Sequence, residues 1–125
     1  HGGDQAYYQD QFDHIVMPEP ISFINDEEYI STLSHEMAHA SGHKDRLNRL
    51  WLNNYSTYRG LEECCAELTS VIIANRLQIT CNTKNHATYI SGWAKSVKNA
   101  KNPSQALMKV FSNSVKAANL IIGEQ

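Results

Sequence analysis

The chain has 125 residues, 42% apolar and 19% charged, with a net charge of −2. That is enough for one domain with a real core and too little for two, and no apolar run reaches the ~20 residues of a membrane-spanning helix. Three cysteines, Cys64 and Cys65 side by side and Cys81 alone, form neither a disulfide framework nor a Cys-x-x-Cys zinc pair.

The cysteines are expected as small buried apolar residues in a reducing cytoplasm. No signal peptide is present and the chain opens at His1 without a methionine, so residues 1–125 are expected to be a fragment of a longer protein. Charge is uneven along the chain. Residues 1–36 hold eight acids and no Lys or Arg, whereas residues 68–123 hold seven bases and no acid. Such asymmetry marks either two solvated faces of opposite sign or a surface for an acidic partner such as nucleic acid.

In chain order, Ala6-Tyr7-Tyr8, His14 to Met17 and Ile21 to Ile24 have β-rich composition, broken by Pro18 and Pro20. Two or three short antiparallel strands are predicted. Asn25-Asp26-Glu27-Glu28 is a helix start, with Asn25 as cap and acids in the first turn. Tyr29, Ile30, Leu33, Met37 and Ala40 then form an apolar stripe, and Gly42 is expected to end the helix. Residues 43–56 read as a polar loop with Trp51 at the core edge.

A second helix is predicted from about Tyr58 to about Ile79, with Leu61, Cys64, Cys65, Leu68, Val71, Ile72 and Ile79 inward. Glu62, in line with Thr69 and Arg76, is expected on its wet face. A third helix is predicted from Asn85 to about Lys98. A fourth starts at Asn102-Pro103, with Ala106, Leu107, Val110, Phe111, Val115, Ala118 and Ile122 inward.

The first helix carries His35-Glu36-x-x-His39. Two histidines one turn apart reach one metal ion, and two imidazoles leave a zinc tetrahedron half filled. Both lie opposite the apolar stripe, so core packing does not account for them. Glu36 is placed to take a proton from a water held at the metal.

The third ligand has alternatives. Asp45 gives the spacing His-Glu-x-x-His-x-x-Gly-x-x-Asp, but that class also needs a Met-turn, and the only later methionine is Met108 in a core helix. Glu63, on the second helix with Glu67 one turn on, fits a site whose carboxylate ligand comes from a second helix. Glu63 is favoured. Glu67 is either an alternative ligand or a group that orients a ligating histidine. Tyr55, Tyr58 and His43 are candidates to stabilise an oxyanion.

Several stretches carry a resemblance together: Ala6-Tyr7-Tyr8, Asp13-x-Ile15-x-Met17-Pro18, Thr32-Leu33-x-His35-Glu36-x-x-His39-x-x-Gly42, Arg46-Leu47-x-Arg49, Glu62-Glu63-x-x-Ala66-Glu67-Leu68 and Tyr89-Ile90-x-x-Trp93. The chain resembles the zincin-like metallopeptidase domain of ArdC-type antirestriction and plasmid primase-associated proteins. The resemblance implies bacteria, mobile elements and the cytoplasm, and an N-terminal single-stranded-DNA-binding domain ahead of this one. This chain has Ala40 where the family usually has a large aromatic residue, and Asp45 where it often has Ser.

The resulting expectation is an α+β, zincin-like fold: a small irregular antiparallel sheet, then about four helices, with the metal between the first two. The expected function is hydrolysis of a protein or peptide substrate by Zn²⁺ on His35, His39 and Glu63, with Glu36 as general base. Single-stranded DNA is a possible partner through the full-length protein, and no membrane is expected. The alternative is a nucleic-acid-associated antirestriction module whose metal is mainly structural. A third is an inert scaffold that binds a partner.

Overall fold

A computed structural model of the chain describes residues 3–79, 91, 94, 95 and 97–123. Strands β1 (Tyr7–Gln9) and β2 (His14–Val16) pair antiparallel, with Tyr7 opposite Val16 and Gln9 opposite His14. Three long helices follow: α1 (Asp26–Ser41), α2 (Tyr55–Arg76) and α3 (Pro103–Ile122). The class is α+β as expected, with three long helices among the described residues in place of about four. The segment predicted as the third helix, residues 85–98, lies mostly outside the described residues; Ser91, Ala94, Lys95, Val97 and Lys98 are helical.

Local chemistry sets these boundaries. The Asn25 side chain accepts the Glu28 N–H at 2.9 Å, and Asp26, Glu27 and Glu28 place negative charge at the positive end of α1. Pro103 opens α3 behind Asn102, whose side chain accepts the Gln105 N–H at 3.2 Å. Gly123 ends it at φ 87°, a left-handed position that glycine takes without strain. Helix α2 begins at Tyr55, a turn earlier than predicted, and bends at Tyr58, whose φ of −106° and ψ of 15° are not helical.

The third predicted strand does not form. Pro20–Ser22 is a single 3-10 turn, and Ile21 and Ile24 are each 93% exposed. Proline at 18 and 20 removes two ladder donors, which leaves too little backbone to pair.

The burial of α1 and α2 also departs from the apolar periodicity. In α1 the stripe residues are only half-buried, while Ser34, Glu36, Ala38 and Ser41 are buried. In α2, Glu62 and Thr69, expected on a wet face, are the interior: Glu62 is 1% exposed and Thr69 0%. The reason is the position of α2, which packs against both α1 and α3 and has no exposed residue from Gly60 to Ala74. Small residues bring the helices close. Ser114 of α3 donates to the Cys65 carbonyl of α2 at 3.2 Å, and Thr69 turns its hydroxyl back onto the same carbonyl at 2.7 Å.

Leu61, Cys64, Cys65, Ala106 and Val110 form the apolar core, and Trp51, Leu68, Val97 and Ala100 pack against it. Cys64 and Cys65 are free and buried. Leu107 and Phe111, predicted inward, are more than half exposed.

Gly42 ends α1 at φ −80°, so it is not there for a left-handed turn. A Cβ at this position would lie 2.7 Å from the Arg49 guanidinium and from a Leu52 methyl. Arg49 is held by hydrogen bonds to Ala38, Ser41 and Glu62 and has nowhere to retreat. Gly42→Ala is therefore expected to destabilise the fold by about 1–3 kcal/mol, the usual cost of overpacking, in urea unfolding followed by circular dichroism.

Candidate metal centre

Helical spacing puts His35 and His39 on one face of α1, and the packing of α1 on α2 puts three carboxylates opposite them. His35 Nε2 lies 3.1 Å from Glu63 Oε2, His39 Nε2 lies 3.4 Å from Glu63 Oε1, and the two Nε2 atoms are 3.2 Å apart. The other ring nitrogens are anchored outward. His35 Nδ1 donates to Glu67 Oε2 at 2.9 Å, and His39 Nδ1 donates to Glu62 Oε2 at 2.7 Å. A carboxylate only accepts, so each Nδ1 carries a proton and each Nε2 is the nitrogen left to face a metal.

A divalent ion fits this group. A tetrahedron with bonds of about 2.0–2.1 Å has edges of about 3.3 Å, close to the spacings found among His35, His39 and Glu63. Among the described residues, these three form the group whose ligand atoms converge. Glu67 sits behind His35 rather than in the group. Asp45 lies outside it, with a side chain 75% exposed and 3.7 Å from His43.

Without a metal, the carboxylates hold both rings protonated. Burial opposes the charge on His35, but Glu63 and Glu67 outweigh it and raise its pKa to about 10. Burial likewise opposes His39, and Glu62 and Glu63 raise it to about 9. Two protonated Nε2 atoms 3.2 Å apart cannot donate to each other, so both crowd onto Glu63.

Glu62 is the support of the site, and neither its role nor that of Arg49 was read from the sequence. Arg49 donates to both Glu62 oxygens, at 2.9 and 2.8 Å, and Trp51 Nε1 donates to Oε1 at 2.8 Å. With His39, Glu62 accepts four hydrogen bonds. Arg49 also donates to Ser41 Oγ at 2.8 Å and to the Ala38 carbonyl at 2.7 Å, tying the end of α1 to α2. The available signal was the segment Arg46-Leu47-x-Arg49 together with Glu62 beside Glu63.

Glu36 lines the site and is buried, 8% exposed. Burial raises its pKa, while the charges of His39 and His35 and a backbone hydrogen bond from Tyr8 restrain it. Tyr8 belongs to β1, which forms one wall of a cavity of about 560 Å³ bounded also by His35, His39, Tyr55 and Glu63. Tyr55 donates its hydroxyl to Glu63 Oε1 at 3.3 Å, whereas Tyr58 and His43 do not line this cavity.

The hairpin is held by a second cluster. Arg46 pairs with both Asp13 oxygens and donates through Nε to the Ala40 carbonyl at 2.7 Å, and Tyr8 donates to Asp13 at 2.6 Å. Arg46 and Tyr8 hold the Asp13 carboxyl down at about 2.

The chain is similar to several known proteins. The sequence profile of a family described as zincin-like metallopeptidases matches residues 1–108. The uncharacterized protein y4eC of Sinorhizobium fredii is 39% identical over 127 residues, which cover 100% of this chain and 40% of that protein. The DNA primase TraC of Escherichia coli is 34% identical over 96 residues, covering 76% of this chain and 7% of the primase. Crystal structures of the antirestriction protein ArdC from plasmid R388 superpose at TM-scores of 0.75 for the metal-free form and 0.71 for the Mn(II)-bound form. Identity is 29% and 28%, over 97% and 95% of this chain and 44% and 43% of ArdC. The chain therefore spans less than half the length of each of these relatives. The family, the Mn(II)-bound relative and the convergent side chains together imply a divalent metal.

Two measurements test the site. Glu62→Ala leaves Arg49 buried without a counter-charge, and the expected loss is about 3–5 kcal/mol in urea unfolding, far above that of a surface glutamate. Protonation gives the second. The pairs made by charged His35 and His39 contribute fully below about pH 6.5 and fade as the pH rises through about 9 to 10. Metal binding at pH 7.5 is thus expected to release about two protons, against about 0.2 for two unperturbed imidazoles. Calorimetry in buffers of different ionisation enthalpy measures that number.

Proposed function

Because the chain belongs to the zincin-like metallopeptidase family, we propose that it is a zinc-dependent peptidase with His35, His39 and Glu63 as ligands and Glu36 as general base. The observation that carries the reading is the convergence of those three ligand atoms while both Nδ1 atoms are occupied by Glu67 and Glu62. When bound, the metal supplies a Lewis acid that acidifies water and polarises the scissile carbonyl.

The chain's own residues do the rest. Glu36 accepts the proton of the attacking water and passes it to the leaving amine. Its burial favours the neutral form, which makes it a stronger base than an exposed carboxylate. Tyr55 lines the cavity with its hydroxyl on Glu63 and is assigned to the oxyanion, in preference to Tyr58 and His43. Glu67 and Glu62 orient the two imidazoles. The α1–α2 contact is already tied by Arg49 and Glu62, so a metal is not needed to hold the helices together. That favours a chemical role over a structural one.

The proposed substrate is a protein or peptide. The proposed setting is the cytoplasm of a bacterium carrying a mobile element, in keeping with the plasmid-encoded antirestriction relative. No helix among the described residues is long and apolar enough to cross a membrane.

A zinc titration against a competing chelator tests the ligands. Glu67→Ala is expected to weaken binding about 10- to 100-fold, Glu63→Ala by more, and Asp45→Ala hardly at all. Glu36→Gln is expected to keep the metal and abolish cleavage of a mixed peptide library read by mass spectrometry. Cleavage undiminished in Glu36→Gln, or metal released by Asp45→Ala alone, would sink the assignment.

A further inference from the structure

A second groove, of about 1370 Å³, shares no lining residue with the cavity of His35 and His39. It runs between the turn ahead of α2, the bend at Tyr58, Lys95, Asn99 to Asn102, and α3 from Gln105 to Lys116. Lys95, Lys101, Lys109 and Lys116 line it, all exposed, and none of its described lining residues is an Asp or Glu. Arg49 reaches it too, but its charge is spent on Glu62. An ordinary solvated face mixes signs, because like charges gathered in one concavity repel. Here the whole run from residue 68 to residue 123 carries bases without one acid, and four of its seven bases meet in a single groove. The positive end of α3, capped by Asn102, opens at the same place and adds to the field.

The rest of the lining distinguishes one polyanion from another. Tyr58 is 41% exposed beside half-buried Trp51, and Asn99, Asn102 and Gln105 present amides. Lysines supply point charges for phosphates, aromatic rings a stacking surface for bases and amides hydrogen bonds to base edges; a chain of Asp and Glu brings no ring to stack. We infer that this groove binds single-stranded nucleic acid along its lysines, with a base against Tyr58. The inference is independent of the peptidase reading, since no proposed metal ligand takes part.

The test is fluorescence anisotropy of a labelled oligothymidylate with the intact chain, from 50 to 200 mM NaCl. The lysines are exposed, so the substituted chains are expected to melt like the parent. Lys109→Glu with Lys116→Glu is expected to weaken binding at least tenfold and to flatten the salt dependence by about 1.4 in log K per log salt, about 0.7 per lost phosphate contact. Tyr58→Ala is expected to cost about fivefold or more. Lys44→Glu, exposed and outside the groove, should leave affinity within about twofold. No binding at 50 mM NaCl, or equal weakening by Lys44→Glu and Lys109→Glu, overturns the inference. So does displacement by polyglutamate at equal charge with no effect of Tyr58→Ala, which would mark the groove as a site for acidic polypeptide.

Discussion

The Glu62 carboxylate is almost fully buried, and Arg49, Trp51 and His39 donate four hydrogen bonds to it. A bare carboxylate in such a place would cost several kilocalories per mole, so the groups around it are not free to drift. That constraint propagates. Arg49 fixes the end of α1 through Ala38 and Ser41, Gly42 must stay small to admit its guanidinium, and His39 has its tautomer chosen for it. The centre depends on the same contacts that join α1 to α2. A change in helix packing and a change in ligand geometry are here one event.

The two histidines have parallel arrangements with different supports. His35 is held by Glu67, buried at 6% exposure, while His39 is held by a carboxylate that Arg49 also engages. The two imidazoles thus have different supports even though the sequence repeats them one turn apart.

Much of this was legible in the sequence. Two histidines at helical spacing opposite an apolar stripe, a carboxylate pair one turn apart on the next long helix, and the Asn25 and Asn102 caps all follow from local periodicity and capping chemistry. What periodicity misread was the wetness of faces. Glu62 and Thr69 look solvent-facing only if α2 has one partner, and it has two. Nor does a one-dimensional pattern tell that Arg49, in a polar loop, is among the most buried side chains. Its partner is 13 residues away, and only the folded chain brings them together. Ile21 and Ile24 failed for the opposite reason: β-rich composition was present, but the prolines beside it leave no ladder to join.

The two walls of the cavity are built from different materials. On the helix side, the contacts that hold the histidines are buried or half-buried. On the hairpin side, β1 is moored to the body by Asp13, Arg46 and Tyr8, where Asp13 lies open to solvent and ion pairing is worth little. Yet β1 also delivers the backbone contact to Glu36. Glu36, the proposed general base, therefore stands at a seam between a buried helix pair and a more exposed hairpin. Salt therefore reaches the fastening of the hairpin wall well before it reaches the buried ties of the helix wall.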